Sequence, residues 1–352
     1  MNKPDILLTG AQGWLGRRLL RIILEKSYGN PILDAYITDQ TRVRCLLLPG
    51  QDEKALTSLS PRVSCVYGDV RNPLDCERFT EGAEGAVMIH IAGIIHPSKV
   101  SEFFSINRDG TKNILEASVK NGLKRAVIMS SNSPIGCNPF KDHVFDESSP
   151  FHPYMNYGKS KMEMEQIVQQ FTKAGKIETS VIRAPWFYGP DQPDRQILFF
   201  TMIKEGKGPI VGDGQNLRSM AYLDNLSQGL LLAAFQPQAA GEVYWIADEK
   251  PYTMNQIIDT IERLMETEFG LTVAHKRLKL PGLAADVAEI VDGLMQGVGM
   301  YNQKIHVLGE MNKTIACSVE KAKQHLGYKP MVSLEEGMRR SLKSVFDNGQ
   351  KI

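Results

Sequence analysis

The chain has 352 residues, 42% of them hydrophobic, enough apolar material for about two domains' worth of core. A formal net charge of +1 gives no overall electrostatic footprint for nucleic acid or an anionic membrane. The five cysteines and seven histidines are scattered with no Cys-x-x-Cys pair and no ligand-like spacing, so neither a disulfide framework nor a metal site is expected.

Asp5-Ile6-Leu7-Leu8-Thr9 is a short apolar run, long enough for one buried strand. Gly10-Ala11-Gln12-Gly13-Trp14-Leu15-Gly16 follows at once, and then apolar residues recur at the helical period at Leu15, Leu19, Ile22 and Ile23. Strand, glycine turn and helix in that order supply the context of a dinucleotide fingerprint, with one extra residue in its first gap. Gly10 would permit the tight turn, Gly13 the close approach of a pyrophosphate, and Gly16 close helix packing. Further strands are read at Val43–Leu48, Val63–Tyr67, Ala86–Ile91 and Lys124–Met129, with a helix from Gly110 to Lys120. The alternation implies a doubly wound parallel sheet that binds ligands at the strands' carboxyl ends. Asp69-Val70, Ala92-Gly93 and Ser130-Ser131 all fall at such ends.

Tyr157 and Lys161, four residues apart, share one face of a helix. There the ammonium could hold down a phenol pKa that is ordinarily near ~10, leaving a tyrosine able to exchange a proton with a substrate oxygen near neutrality. After Val181-Ile182-Arg183 the alternation breaks at Pro185, Gly189, Pro190, Pro193 and Gly206-Lys207-Gly208-Pro209. A leucine-rich helix from Leu226 to Phe235 and a strand around Glu242–Ala247 then return to the sheet. We therefore assign residues 1–182, completed by about 218–248, to a Rossmann domain, and residues 183–217 and 249–345 to a smaller interleaved substrate lobe. Past Leu280-Pro281-Gly282, apolar residues at Leu283, Val287, Ile290, Val291, Leu294 and Met295 form a helical stripe, expected to face the core or else to line an apolar mouth.

In order and spacing these pieces resemble an extended short-chain dehydrogenase/reductase of the NAD-dependent epimerase/dehydratase type. The matching segments run from Thr9–Gly16 through Gly68-Asp69-Val70, His90–Gly93, Asn107–Asn113, Ser130-Ser131, Tyr157–Lys161, Arg183–Pro190 and Gly212–Asp224. The ending, Leu326-Gly327-Tyr328-Lys329-Pro330, is similar to that of 3β-hydroxysteroid dehydrogenase-like members. The resemblance implies Tyr157 as acid/base, Lys161 orienting the nicotinamide ribose and Ser131 polarising the reacting oxygen. It places Gly10, Gln12, Gly13, Trp14, Leu15, Gly16, Asp69, Val70, Ala92, Gly93 and Pro185 around the dinucleotide, and Asn132, Trp186 and Arg218 at the substrate. Plainer roles are set beside these: Asp69 as a cap, His90 as a satisfied buried histidine, Asn107 at a helix start or in a relay or backbone role, and Arg218 in an ion pair with Asp224.

The function implied is an NAD(P)-dependent oxidoreductase or epimerase acting on a secondary alcohol or keto carbon of a nucleotide sugar, an epimerase returning the hydride to the opposite face. A hydroxysteroid-like dehydrogenase or ketoreductase with an apolar substrate is the alternative, and a non-catalytic dinucleotide sensor is the alternative of another class. An arginine at position 218 suits a diphosphate, whereas Trp186 stands where nucleotide-sugar epimerases often carry asparagine. Asn132-Ser133 lacks the acidic pair of the 4,6-dehydratases, which demotes dehydration. Leu48 ends the second strand where an acid would select NAD, while Arg17 or Arg44 could meet the 2′-phosphate of NADP; NAD is favoured. A small-molecule substrate, no nucleic-acid partner, no membrane insertion, a cytoplasmic setting without signal peptide, and a helix-paired homodimer complete the expectation.

Overall fold

The computed structural model describes residues 3–352. Seven parallel strands form the central sheet: β1 (Ile6–Thr9), β2 (Val43–Leu47), β3 (Val63–Tyr67), β4 (Val87–His90), β5 (Arg125–Ser131), β6 (Glu178–Ala184) and β7 (Val243–Trp245). Their spatial order is β7-β6-β5-β4-β1-β2-β3. Order reverses between β1 and β4, so the crevice at this switch point opens where their carboxyl ends diverge. β1, β2, β4 and β5 are buried throughout, which is why they read as unbroken apolar runs rather than alternating ones.

Helices cover both faces. On one, α1 (Trp14–Glu25) and the leucine-rich helix Leu223–Phe235 pack Leu19, Ile22, Ile23, Leu230 and Leu231 against Ile6, Leu8 and Val127. On the other, α2 (Gly110–Lys120) and α3 (Met155–Lys173) bury Ile114, Leu115, Met164 and Val168 against Leu7, Met88 and Ile128. A buried ion pair ties α3 to the sheet. Glu165 accepts from Arg183 Nη2 at 2.7 Å and from the Ser130 hydroxyl, and the guanidinium lies over the rings of Phe151 and Trp245.

The remaining chain builds a lobe around a second core containing Phe200, Tyr222, Ile257, Ile261, Met338 and Leu342. Three two-stranded ribbons stitch it together: Trp186–Tyr188 with Met220–Tyr222, Leu217–Arg218 with Tyr252–Thr253, and Gly208–Val211 with Arg277–Leu280. A helical hairpin follows, α4 (Gly282–Gly297) and α5 (Gln303–Glu310), meeting the start of α3 through Gln296. Here the core-facing expectation for the apolar stripe fails. Leu283, Ile290 and Leu294 are 70%, 64% and 70% exposed, while the buried face of α4 is Ala285, Ala288, Asp292 and Gln296. No described helix is long and apolar enough to cross a membrane.

Candidate active site

The glycine turn follows β1 as expected. Gly10 sits at φ 70°, in the left-handed region, and a Cβ there would stand 2.9 Å from Ala92 N. At Gly16 a Cβ would come within 2.1 Å of Gly10 O, so α1 can close onto the turn only without a side chain. A Cβ on Gly13 would meet only Gly10 O, at 3.1 Å, leaving its outer side open for a ligand approaching the first turn of α1. These residues fit a dinucleotide. Neighbouring side chains lock the cradle: Gln12 Nε2 donates to Asp52 O at 2.6 Å and Trp14 Nε1 to Pro190 O at 2.7 Å, while Leu15 is buried beneath.

Beneath the turn, one hydrogen-bond chain fixes the floor. Ala92 N–H donates to Thr9 Oγ1, which lies 2.8 Å from His90 Nδ1; His90 Nε2 lies 3.1 Å from Thr111 Oγ1, which donates to Asn107 O. Because Asn107 O can only accept, the directions are forced, and His90 is neutral with its proton on Nε2. Burial, with Lys161 nearby, holds its pKa at about 3. His90 is thus a satisfied structural histidine. Asn107 takes the backbone role: it bonds both the N–H and the C=O of Ile94 and reaches Ser160 Oγ at 3.2 Å, pinning the loop after β4 to α3. It lies in a π-helical segment, Phe103–Asp109, a distortion that often accompanies functional sites.

At the carboxyl end of β3, Asp69 accepts from the backbone and guanidinium of Arg71, whose charge pulls its pKa down. The buried Val70 packs on Gly110. Arg44 is spent elsewhere: its Nη1 donates to Phe79 O and Glu81 O, so it cannot serve a 2′-phosphate. Arg17 stays exposed on α1.

The end of β5 delivers Ser131 toward α3. Gly158 makes the approach possible, since a Cβ there would lie 2.4 Å from Ser133 O. Tyr157, beside it, is buried, and its ring packs 5.6 Å from Phe103. Burial pushes the phenol pKa up to about 12 and the nearby Ser131 hydroxyl pulls it back in part, while the Glu310 carboxylate pushes it up. The expected acidification by Lys161 is not seen. Its Nζ donates to Met129 O at 3.0 Å, and burial depresses its own pKa to about 8. Desolvation is the leading cause of both shifts. Asn132 accepts from Ser131 Oγ at 3.3 Å, and Pro185, buried, separates β6 from the ribbon carrying Trp186.

Arg218 does not pair with Asp224, which instead forms a bidentate pair with Arg18 at 2.6 and 2.7 Å. The Arg218 guanidinium is buried, donates to Glu310 O, and leaves Nε without a partner among the described residues. The sequence reading missed the residues that α4, α5 and the chain between them add. Tyr301 meets Phe103 edge-on at 5.5 Å and lies 2.8 Å from His96 Nδ1 through its hydroxyl, and Gln296 Oε1 caps the start of α3 by accepting from Asn156 N. No motif announces them, because each comes from a segment distant in sequence.

A glycine cradle at the switch point, with a serine, tyrosine and lysine converging at the next strand end, defines a dinucleotide-dependent enzyme of the extended short-chain dehydrogenase/reductase type. The chain belongs to the NAD dependent epimerase/dehydratase family, whose model matches residues 6–247. It is 49% identical to the uncharacterized protein y4nL of Sinorhizobium fredii, over 99% of this chain and 97% of that one. It is 25% identical, over 99% of this chain and 97% of the relative, to the N-acetyl-alpha-D-glucosaminyl-diphospho-ditrans,octacis-undecaprenol 4-epimerase of Escherichia coli O157:H7. Among solved structures, DesIV, a dTDP-glucose 4,6-dehydratase of Streptomyces venezuelae with NAD and TYD bound, shares the fold at a TM-score of 0.75 and 23% identity, covering 97% of each chain.

Proposed function

We propose that this NAD-dependent enzyme oxidises and reduces, or epimerises, a secondary alcohol or keto carbon of a nucleotide sugar, with Ser131, Tyr157 and Lys161 at the reacting oxygen. The observation that carries the substrate class is Arg218: a buried guanidinium with no carboxylate partner and a spare Nε–H suits a diphosphate. Two similar proteins are named for sugars carried on a diphosphate or on dTDP. Bound NAD supplies hydride acceptance and return. Tyr157 Oη takes the proton of the substrate hydroxyl or gives one to the carbonyl, Ser131 Oγ holds the same oxygen, and Lys161 Nζ would keep the cofactor ribose and the phenol in register. On this reading Asn132 and Trp186 would face the substrate, Asn132 from beside Ser131 and Trp186 from the lobe, where it packs against Phe199 at 5.6 Å. Asn132-Ser133 lacks an acidic pair to shuttle protons for water loss, so the likeness to a dehydratase is read as one of fold.

Tyr157→Phe is expected to lower turnover by ~10²–10⁴-fold with NAD binding kept; unchanged turnover removes the assignment. Arg218→Ala should weaken UDP or dTDP binding in calorimetry by ~1.5–3 kcal/mol, as for a charged hydrogen bond. If no nucleoside diphosphate binds the wild type, the apolar walls around Tyr157 (Val100, Phe103 and, partly buried, Ile94) favour a hydroxysteroid-like substrate instead.

A further inference from the structure

Helix α4 is built inside out. An amphipathic helix on a globular surface normally turns its apolar stripe to the core. Here Leu283, Val287, Ile290, Val291, Leu294 and Val298 form a stripe about 100° wide that faces solvent. Met300 and Val307 extend it across the hairpin and Leu278 along the preceding strand, all at least 43% exposed. So many exposed aliphatic side chains on one helix and its neighbours mark an interaction site rather than ordinary scatter.

Charge decides what it meets. The three acids of α4 turn away from the stripe: Glu289 pairs with Lys313 at 2.8 Å, Asp286 reaches Lys313 and Asn312, and Asp292 is buried against His306 at 2.7 Å. Among the described residues, the exposed charges beside the apolar surface that have no ion-pair partner are lysines, whereas Asp286 and Glu289 share Lys313. Lys276 and Lys279 precede the helix and Lys304 follows it, all exposed, while the ion pairs of this region belong to His275, Arg277 and Lys313. A second copy of the chain would set lysine against lysine at both ends of the stripe, whichever way the helices ran. An anionic lipid surface meets the lysines with phosphate and the stripe with acyl chains.

We infer that the outer face of the α4–α5 hairpin, with Leu278 and the flanking lysines, docks the enzyme on the surface of an anionic bilayer. The same hairpin touches the catalytic helix through Gln296 and Tyr157's aromatic cluster through Tyr301, so docking brings the reacting tyrosine close to the lipid surface. The inference rests on burial and charge and is independent of the substrate reading.

Flotation of the full chain with phosphatidylglycerol/phosphatidylcholine vesicles tests it. The wild type should float with anionic vesicles, less at high salt, and remain unbound with phosphatidylcholine alone. Leu294→Asp should abolish flotation with NAD binding retained, and Lys279→Ala and Lys304→Ala should each weaken it about fivefold. A wild type that never floats, or a Leu294→Asp variant that floats equally well, overturns the inference. So does a sedimentation dimer that Leu294→Asp dissolves while vesicles bind nothing.

Discussion

The central sheet and the α4–α5 hairpin are both rich in leucine, isoleucine and valine, yet they use these side chains in opposite ways. In the sheet, helices on both faces leave an apolar strand residue nowhere to go but inward, and Leu7, Leu8, Met88 and Ile89 are fully buried. On α4 the stripe faces out, because the inward positions are filled by two alanines, an aspartate and a glutamine that lock the hairpin through His306 and Asn156. Hydrophobic periodicity reports that a face exists, not which side of the protein it lies on.

Substitutions can break that contrast or sharpen it. The largest effect is expected beneath the sheet. Glu165→Ala strands the Arg183 charge in the core and should cost about 3–5 kcal/mol in denaturant unfolding; a loss under 1 kcal/mol would mean the pair does not anchor α3. Leucine to alanine at two sites then sets the regions side by side. Leu230→Ala, fully buried, should cost about 2–5 kcal/mol. Leu294→Ala, 70% exposed, should stay within about 0.5 kcal/mol. Equal losses would show that α4 packs differently in solution.

One expected effect has the opposite sign. Lys161→Met removes a buried ammonium and should stabilise the cofactor-free protein by about 1–3 kcal/mol at pH 7 while abolishing turnover. The folded pKa of Lys161, about 8, lies below its ordinary value of 10.5, so across that window the unfolded chain holds the extra proton and wild-type stability from this group rises with pH. The advantage of the variant should therefore shrink as pH rises from 8 toward 10.5. A constant difference would show that Lys161 stays charged in the fold.

Much of the site was legible because its parts are local. Gly10, Gly13 and Gly16 answer to a turn and a helix start within seven residues, and Ser131 and Tyr157 sit next to the elements that aim them. His90 was read correctly as satisfied, although its partners Thr9 and Thr111 come from other elements. Arg44 and Arg218 were not legible to the same degree. A guanidinium reaches several ångströms from its backbone, and only the fold decided that Arg44 clamps two carbonyls and that Asp224 belongs to Arg18.

The sequence by itself determined the order of strands and helices, the glycine turn and the family, since these depend on residue periodicity and on backbone conformations that few residue types allow. Tertiary structure alone decided the proton affinities of Tyr157 and Lys161 and the outward turn of the α4 stripe. Those depend on which distant segments exclude water from a given side chain, and solvent exclusion is a property of the packed molecule.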